Sequence, residues 1–209
     1  MSGQSQQRFS HYNKQNYDYF LVLDFEATCE DRKLIDPQEI IEFPVLKINA
    51  ETFLEESVFH EFVKPVHHPN LTAFCKNLTT ITQEEVDGGK PFVDVLKNFE
   101  KWMEDDVRLD SRFLFVTCGD WDLKTMLPAQ CMLSNLEVPQ YCRAWLNMKW
   151  PYKRATRRNH RGMMEMLRTL RLTHVGTHHR GIDDCRNIAN ILRALAKRGF
   201  VFRPSAENA

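Results

Sequence analysis

Residues 22–29, Val-Leu-Asp-Phe-Glu-Ala-Thr-Cys, place two carboxylates at the end of an apolar run that is typical of a buried strand. Asp24 and Glu26 are two residues apart, so their side chains project to the same face of a strand. Desolvation and mutual repulsion disfavour ionisation of such a pair, and a hard divalent cation offsets both. Alone, the pattern fits equally well a strand that runs out into solvent with two exposed acids.

A second acidic site follows another apolar run, at residues 113–117. Gly119 permits a tight turn after this run, and Asp120 and Asp122 come next. We expect Asp122 to be a metal ligand and Asp120 to lie behind the site or at the surface. A helix is predicted over residues 124–133, interrupted near Pro128.

A third acidic site lies in residues 178–185, His-His-Arg-Gly-Ile-Asp-Asp-Cys. The residues that follow, 186–198, carry apolar side chains at helical spacing, which places Asp184 in or near the first turn of a helix. Acids in a first turn most often only cap the helix and complement its dipole. All three acidic sites nevertheless lie at the edge of an apolar segment. We therefore predict that the fold brings them together.

Together these motifs resemble the DEDDh 3′-to-5′ exonuclease superfamily, and most closely its Eri-type exoribonucleases, including the short Snipper-like members. The resemblance covers residues 17–203, and its clearest segments are DFEATC (24–29), PQEIIEFP (37–44), TCGDWDL (117–123) and GIDDCRNIA (181–189). It implies an α/β fold, an RNase H-like mixed sheet flanked by helices, with the acidic motifs meeting at one edge of the sheet.

The chain is predicted to hold one catalytic domain at residues 17–203, between a disordered polar tail at 1–16 and a C-terminal tail at 204–209. Strands are expected at 19–24, 40–48, 53–63 and 113–117. Helices are expected at 70–77, 82–87 and 92–103, and through the C-terminal half.

The resemblance implies metal-dependent hydrolysis of RNA from the 3′ end, releasing nucleoside 5′-monophosphates by a two-metal mechanism. Two Mg²⁺ ions, for which Mn²⁺ would substitute, would be held by Asp24, Glu26, Asp122 and Asp184. Glu26 and His179 are the catalytic candidates. His179, five residues before Asp184, is the expected general base, because neutral imidazole accepts a proton near neutral pH.

The terminal nucleotide is expected to contact residues beside the acidic motifs. Trp121 is the favoured stacking residue, whereas Phe25 is expected to pack in the core. Core packing is the alternative for each apolar candidate. The full set of nucleotide-binding candidates is Glu26, Ala27, Thr28, Ile81, Trp121, Leu123 and His179.

The formal net charge of zero hides a strong polarity along the chain. Residues 143–209 carry a balance of +11 and residues 1–142 a balance of −11. The densest basic run, at 149–161, interleaves aromatic and cationic residues, which favours a nucleic-acid path over a merely solvated basic loop. The predicted path residues are Lys149, Tyr152, Lys153, Arg154, Arg157, Arg158 and Arg161.

Composition is that of a single globular domain, with 43% hydrophobic and 27% charged residues. The sequence shows no apolar targeting or membrane-spanning run, and its six cysteines lack zinc-type spacing. We therefore expect reduced thiols in a cytoplasmic and/or nuclear monomer that acts on RNA first, with DNA as a second candidate, and without a membrane partner. The alternatives are a nucleic-acid-binding adaptor with weak or no catalysis, and an endonuclease or nucleotide hydrolase on the same scaffold.

Overall fold

The computed structural model describes residues 12–159 and 162–207, which form a mixed sheet with helices on both faces. The strands are β1 (Tyr19–Leu23), β2 (Glu26–Ala27), β3 (Ile40–Asn49), β4 (Glu55–Phe62), β5 (Phe113–Thr117), β6 (Ala144–Asn147) and β7 (Ala206–Glu207). The helices are α1 (Ala73–Thr79), α2 (Gln83–Asp87), α3 (Phe92–Trp102), α4 (Leu127–Leu133), α5 (Lys149–Thr156), α6 (Met163–Leu170) and α7 (Gly181–Ala196). The architecture confirms the predicted α/β class.

The long strand β3 organises one half of the sheet. It pairs antiparallel with β1 and β2 on one side and with β4 on the other. On the far side of β1, β5 and β6 continue the sheet in parallel, and β7 closes it antiparallel to β6. β1 is therefore a central strand, and its carboxyl end lies beside that of β5.

Alternation along β1 divides the core into two layers. Phe20 and Val22 pack into the layer under α6 and α7, whereas Leu21 and Leu23 pack into the layer under α3 and α4. Phe25 continues the second layer and contacts Phe43 with ring centroids 4.7 Å apart, as predicted for a core residue. Because side chains alternate, Asp24 and Glu26 continue the face that looks toward α7.

Two short π-helical turns adjoin the helices of the α3–α4 layer. Met103–Val107 extends α3, and Asp122–Met126 leads directly into α4. Pro128 lies in the first turn of α4, where a missing N–H costs little. The helix interruption that was expected near Pro128 is instead a change from π-helix to α-helix just before it. Among the described residues, no helix is long and apolar enough to cross a membrane.

Both predicted tails need correction where the structure describes them. The side-chain amide of Gln15 donates to the Phe200 carbonyl, and its oxygen accepts from the Phe202 backbone N–H. At the other end, residues 206–207 form β7 on the edge of the sheet. Ordered structure therefore includes parts of both segments that were predicted to be tails, while residues 1–11 lie outside the described part of the chain.

Phe43 on β3 is a sensitive point of the α3–α4 layer, because its buried ring contacts Phe25, Phe59 and Phe99. We expect Phe43→Ala to lower the free energy of unfolding by about 3–5 kcal/mol, since it leaves a cavity among rigid rings. Urea denaturation would measure the change. Leu34→Ala, at a side chain that is 82% exposed, is the control and should change stability by less than about 0.5 kcal/mol.

Candidate active site

The three acidic motifs meet in one cleft with a volume of about 900 Å³. Asp24 and Glu26 follow β1, Asp122 begins the π-helical turn after β5, and Asp184 lies in the first turn of α7. All four carboxylates line the cleft. They converge at the carboxyl ends of the central strands β1 and β5, so the site sits in mid-sheet rather than along a lateral edge.

Backbone N–H groups orient two of the four carboxylates. Asp122 Oδ1 accepts a hydrogen bond from the Phe25 N–H at 2.9 Å, which ties the π-helical turn to β1. Asp184 Oδ2 accepts from the His179 N–H at 2.9 Å and lies 3.0 Å from His178 Nδ1. Asp122 is thus held by the segment that carries Asp24 and Glu26, and Asp184 by the segment that carries His179.

The cleft disfavours negative charge. Burial raises the pKa of Asp24 well above its usual range, and the neighbouring charges of Asp122 and Glu26 raise it further. Burial, followed by the charges of Glu42 and Asp184, raises the pKa of Glu26 to about 9. Burial raises the pKa of Asp122 to about 6, against the opposing hydrogen bond from Phe25.

Bound cations would relieve this repulsion. Among the described residues, no lysine or arginine forms an ion pair with any of the four carboxylates. Oxygen atoms of Glu26 and Asp184 lie with a His179 ring nitrogen in a group whose members are all within 4.8 Å of one another. A set of carboxylate oxygens in a partly open cleft suits a hard divalent ion such as Mg²⁺.

A fifth acid, Glu42, holds α7 against the sheet. Its side chain is fully buried on β3, where Oε2 accepts from the Gly181 N–H at 2.8 Å and Oε1 from the Ile182 N–H at 3.2 Å. N–H groups in the first turn of a helix have no acceptor within the helix itself, and Glu42 supplies one to each of these two. A carboxylate at this position also complements the helix dipole. His60 Nε2 on β4 lies 2.8 Å from the same carboxylate. Glu42 therefore sets the position from which Asp184 enters the cleft.

Gly181 allows the close approach of α7 to β1. A Cβ atom at this position would lie 2.7 Å from the Asp24 carbonyl oxygen and 3.0 Å from Pro44 Cγ. Arg180, one residue earlier, pairs with Glu85 on α2 at 2.5 Å. Three contacts thus hold the start of α7. They are the hydrogen bonds to Glu42, the ion pair between Arg180 and Glu85, and the close approach of Gly181 to the Asp24 backbone.

His179 enters the cleft from a left-handed backbone conformation, with φ at +64°. Its half-buried ring stacks on that of His178, with centroids 3.8 Å apart. Burial and the adjacent His178 lower the pKa of His179, which keeps the imidazole neutral at physiological pH. His178 instead faces Asp184, so the two histidines hold different positions in the site.

The predicted nucleotide-binding residues divide into two groups. Ala27 and Trp121 line the cleft, and the Trp121 side chain is 39% exposed. Ile81 is 0% exposed within a separate small core cluster, so its assignment to the nucleotide site is wrong. Leu123 packs in the α3–α4 layer, and the buried Thr28 hydroxyl accepts a hydrogen bond from the Glu39 N–H, so neither side chain lines the cleft.

Several residues that sequence reasoning missed also line the cleft. Leu78, near the end of α1, reaches it from the same segment as Ile81 and replaces Ile81 as a base-contact candidate. Gln38 belongs to the PQEIIEFP motif that had already been singled out. Met164 and the exposed Arg168 come from α6, which carried no motif signal, so only the three-dimensional packing reveals them.

The predicted nucleic-acid path is mostly at the surface. Lys149, Lys153, Arg154, Arg157 and Arg158 are exposed on and after α5. Tyr152 is a correction, because its side chain is 0% exposed and packs in the layer under α6 and α7. Its position on the buried face of an amphipathic helix explains the error. Arg161 lies outside the described residues.

Comparison with known proteins agrees with this geometry. Residues 21–192 match the RNase T family described as "Exonuclease". The nuclease domain of 3′hExo, "a DEDDh family member, bound to rAMP", superposes with a TM-score of 0.86 at 34% identity, over 92% of this chain and 98% of that chain. This chain belongs to the exonuclease family, in its DEDDh group, whose members use divalent metal ions, generally Mg²⁺.

Named relatives place the chain among the Eri-type proteins, which confirms the resemblance. "ERI1 exoribonuclease 3" of Homo sapiens is 50% identical over 198 residues, covering 92% of this chain and 58% of the relative. "3′-5′ exoribonuclease 1" of Homo sapiens is 36% identical over 191 residues, covering 90% of this chain and 55% of the relative. The chain thus spans little more than half the length of these relatives. A structure described as "3′-end specific recognition of histone mRNA stem-loop by 3′-exonuclease" matches with a TM-score of 0.89 at 32% identity, over 98% of this chain and 71% of that chain.

Gly181→Ala tests the docking of α7. The added methyl group must push the helix away from the Asp24 carbonyl, so we expect affinity for Mn²⁺ to fall by roughly 10- to 100-fold, as when the residues supporting a metal site are lost. Titration calorimetry on the folded variant measures this. Gly119→Ala is the matched control, because its Cβ would meet only the Lys149 side chain, at 3.5 Å. Equal affinity in both variants would contradict the role of Gly181.

Asp24→Asn tests the repulsion within the cleft. In EDTA at neutral pH, we expect the variant to melt about 2–4 °C above the wild type, because the raised pKa of Asp24 makes the wild type take up a proton on folding, which asparagine does not require. Added Mg²⁺ should raise the melting temperature of the wild type and leave that of the variant nearly unchanged. Thermal unfolding with and without Mg²⁺ measures both effects, with the exposed Asp110→Asn as control. A variant less stable than the wild type in EDTA would show that repulsion is not the dominant effect.

Proposed function

We propose that this chain is a 3′-to-5′ exoribonuclease that removes nucleoside 5′-monophosphates one at a time from a free 3′ end. The observation that carries the proposal is the meeting of four carboxylates and His179 in one cleft of a DEDDh exonuclease fold. The names of its Eri-type relatives support RNA as the substrate.

Asp24, Glu26, Asp122 and Asp184 would hold two Mg²⁺ ions, and Mn²⁺ would substitute because it accepts the same oxygen ligands. When bound, such ions neutralise charge on the phosphodiester and lower the pKa of water at the site. The protein's part is to hold the four carboxylates close together and aligned. The hydrogen bonds to Asp122 and Asp184 support that role.

His179 would be the general base. One of its ring nitrogens would take a proton from the attacking water, whose oxygen would form the new bond to the terminal phosphorus. The bond to the O3′ atom of the preceding nucleotide would break, and this oxygen would keep the electron pair and take a proton from solvent. The lowered pKa of His179 supports this role, because a neutral imidazole is required to accept the proton. The adjacent Asp184 then stabilises the imidazolium.

The terminal nucleotide would lie between the acidic motifs and α1. Trp121 and Leu78 offer surfaces on which its base can stack, and Ala27 leaves room beside Glu26. Base stacking on an aromatic ring is sequence-tolerant, which suits an enzyme that must remove every nucleotide in turn. DNA remains the second proposed substrate, since this base stacking does not depend on a 2′-hydroxyl.

A cytoplasmic and/or nuclear monomer is proposed as the working form. The six cysteines are all free thiols in the structure, which supports a reducing compartment. Four of them, Cys75, Cys131, Cys142 and Cys185, are buried and behave as small apolar side chains.

His179→Ala tests the proposed reaction. With 5′-labelled single-stranded RNA and Mg²⁺, the wild type should give a ladder that shortens from the 3′ end, and the variant should be slower by about 100-fold or more. His67→Ala is the matched control, because the His67 side chain is exposed and remote from the cleft. EDTA should stop the wild type.

Three results would contradict the proposal. Cleavage of circular RNA would make the chain an endonuclease. Tight RNA binding with no degradation under Mg²⁺ or Mn²⁺ would make it an adaptor. Full activity of His179→Ala would remove this histidine from the mechanism.

A further inference from the structure

A second groove, separate from the catalytic cleft, lies between α5 and the segment that leads into β7. Its volume is about 720 Å³. Trp150 and Arg154 line it from α5, and Arg198 and Arg203 line it from the C-terminal segment. We call this surface the arginine groove. No acidic side chain of the described residues lines it, so its charge is uniformly positive.

Trp150 and Arg154 form one wall of the arginine groove. They are four residues apart on α5, so their side chains neighbour each other on the same helix face. The Trp150 side chain is 59% exposed, which is unusual for so large an apolar surface. Trp150 thus offers a flat indole face beside a guanidinium, and it belongs to neither of the two core layers.

The three arginines are available to a ligand. Arg154, Arg198 and Arg203 are all exposed, and none is paired with a carboxylate in the described part of the chain. Some arginines on other surfaces are paired, as Arg112 is with Asp18 and Arg186 with Asp183, so the groove differs from these in leaving its guanidinium groups without an ion pair among the described residues. Three unpaired guanidinium groups around one depression are suited to bind phosphates, which they recognise with two parallel hydrogen bonds.

The arginine groove is connected to the catalytic cleft through the first turn of α5. Lys149 comes directly before Trp150, and its ammonium nitrogen lies 3.5 Å from the position that a Cβ atom on Gly119 would occupy. The residue before Gly119, Cys118, lines the catalytic cleft. A strand that leaves the cleft over Lys149 therefore reaches Trp150 and the arginines next.

We propose that the arginine groove binds the single-stranded part of the nucleic acid that lies 5′ to the terminal nucleotides. Phosphates would pair with Arg154, Arg198 and Arg203, and one base would stack on Trp150. This alternation of flat apolar and cationic groups matches alternating bases and phosphates, whereas the Asp and Glu side chains of an acidic peptide carry no ring to stack on the indole. The position 5′ to the reacting end rests on the proposed function, but strand binding itself does not.

Binding in EDTA separates this inference from catalysis. The probes are fluorescent single-stranded RNAs of about 4 and about 16 nucleotides, a range that brackets the site sizes of single-strand-binding proteins. The variants are Trp150→Ala and the triple variant R154A/R198A/R203A. The matched control is K97A/K101A/R108A, which removes the same number of charges from α3 and its extension, on the opposite face of the sheet.

We expect both groove variants to bind the long RNA about tenfold or more weakly, and the short RNA as the wild type does. The triple variant should also reduce the slope of log affinity against log salt by about 2, since each phosphate contact on a single strand contributes about 0.7. The control should do neither. With Mg²⁺, the groove variants should lose turnover of the long RNA more strongly than turnover of the short RNA, if the proposed function holds.

Unchanged affinity for the long RNA in both groove variants would overturn the inference. An equal loss for long and short RNA would overturn it too, because the groove would then not be a separate contact. Loss of binding to polyglutamate, with RNA binding intact, would assign the surface to an acidic protein instead. A wild type that degrades nothing, but whose RNA binding still depends on the groove, would refute the proposed function and retain this inference.

Discussion

Repulsion among four carboxylates in a half-closed cleft is the constraint around which this fold is organised. Asp24, Glu26, Asp122 and Asp184 are held where water is scarce, and the pKa values of all four are raised. Rigid surroundings must therefore keep the carboxylates together. That rigidity comes from the hydrogen bonds that Phe25 and His179 donate to Asp122 and Asp184, and from the hydrogen bond between Glu42 and the start of α7. Stability is given up at this site, which is common where a protein has a functional site.

Local pattern singled out the acids of the site as candidates, but left their role open. Two-residue alternation placed Asp24 and Glu26 on one face, and the helical period after residue 186 placed Asp184 in a first turn. Their convergence follows from parallel pairing of β1 with β5, which the family resemblance implied and which spacing alone does not contain. The resemblance likewise selected His179 over His178, and the structure assigns different neighbours to the two rings.

The errors arose where long-range packing decides the outcome. Ile81 and Leu78 have similar side chains in one segment, and only the docking of α1 determines that Leu78 faces the cleft and Ile81 the core. Tyr152 lies in a basic run of the sequence, yet its side chain is on the buried face of α5. The pairing of β7 with β6 and the contacts of Gln15 depend on partners more than 50 residues away, for which no local signal exists.

The contact between Glu42 and Gly181 joins residues 139 positions apart, and it also bears on biosynthesis. Translation proceeds from the N-terminus, so a nascent chain contains Asp24, Glu26 and Asp122 long before α7 leaves the ribosome. Until then, neither Asp184 nor His179 is in place, and the proposed cation site is incomplete. α7 must therefore emerge and dock on the sheet before the cleft can form. The order of synthesis alone thus delays completion of the proposed active site.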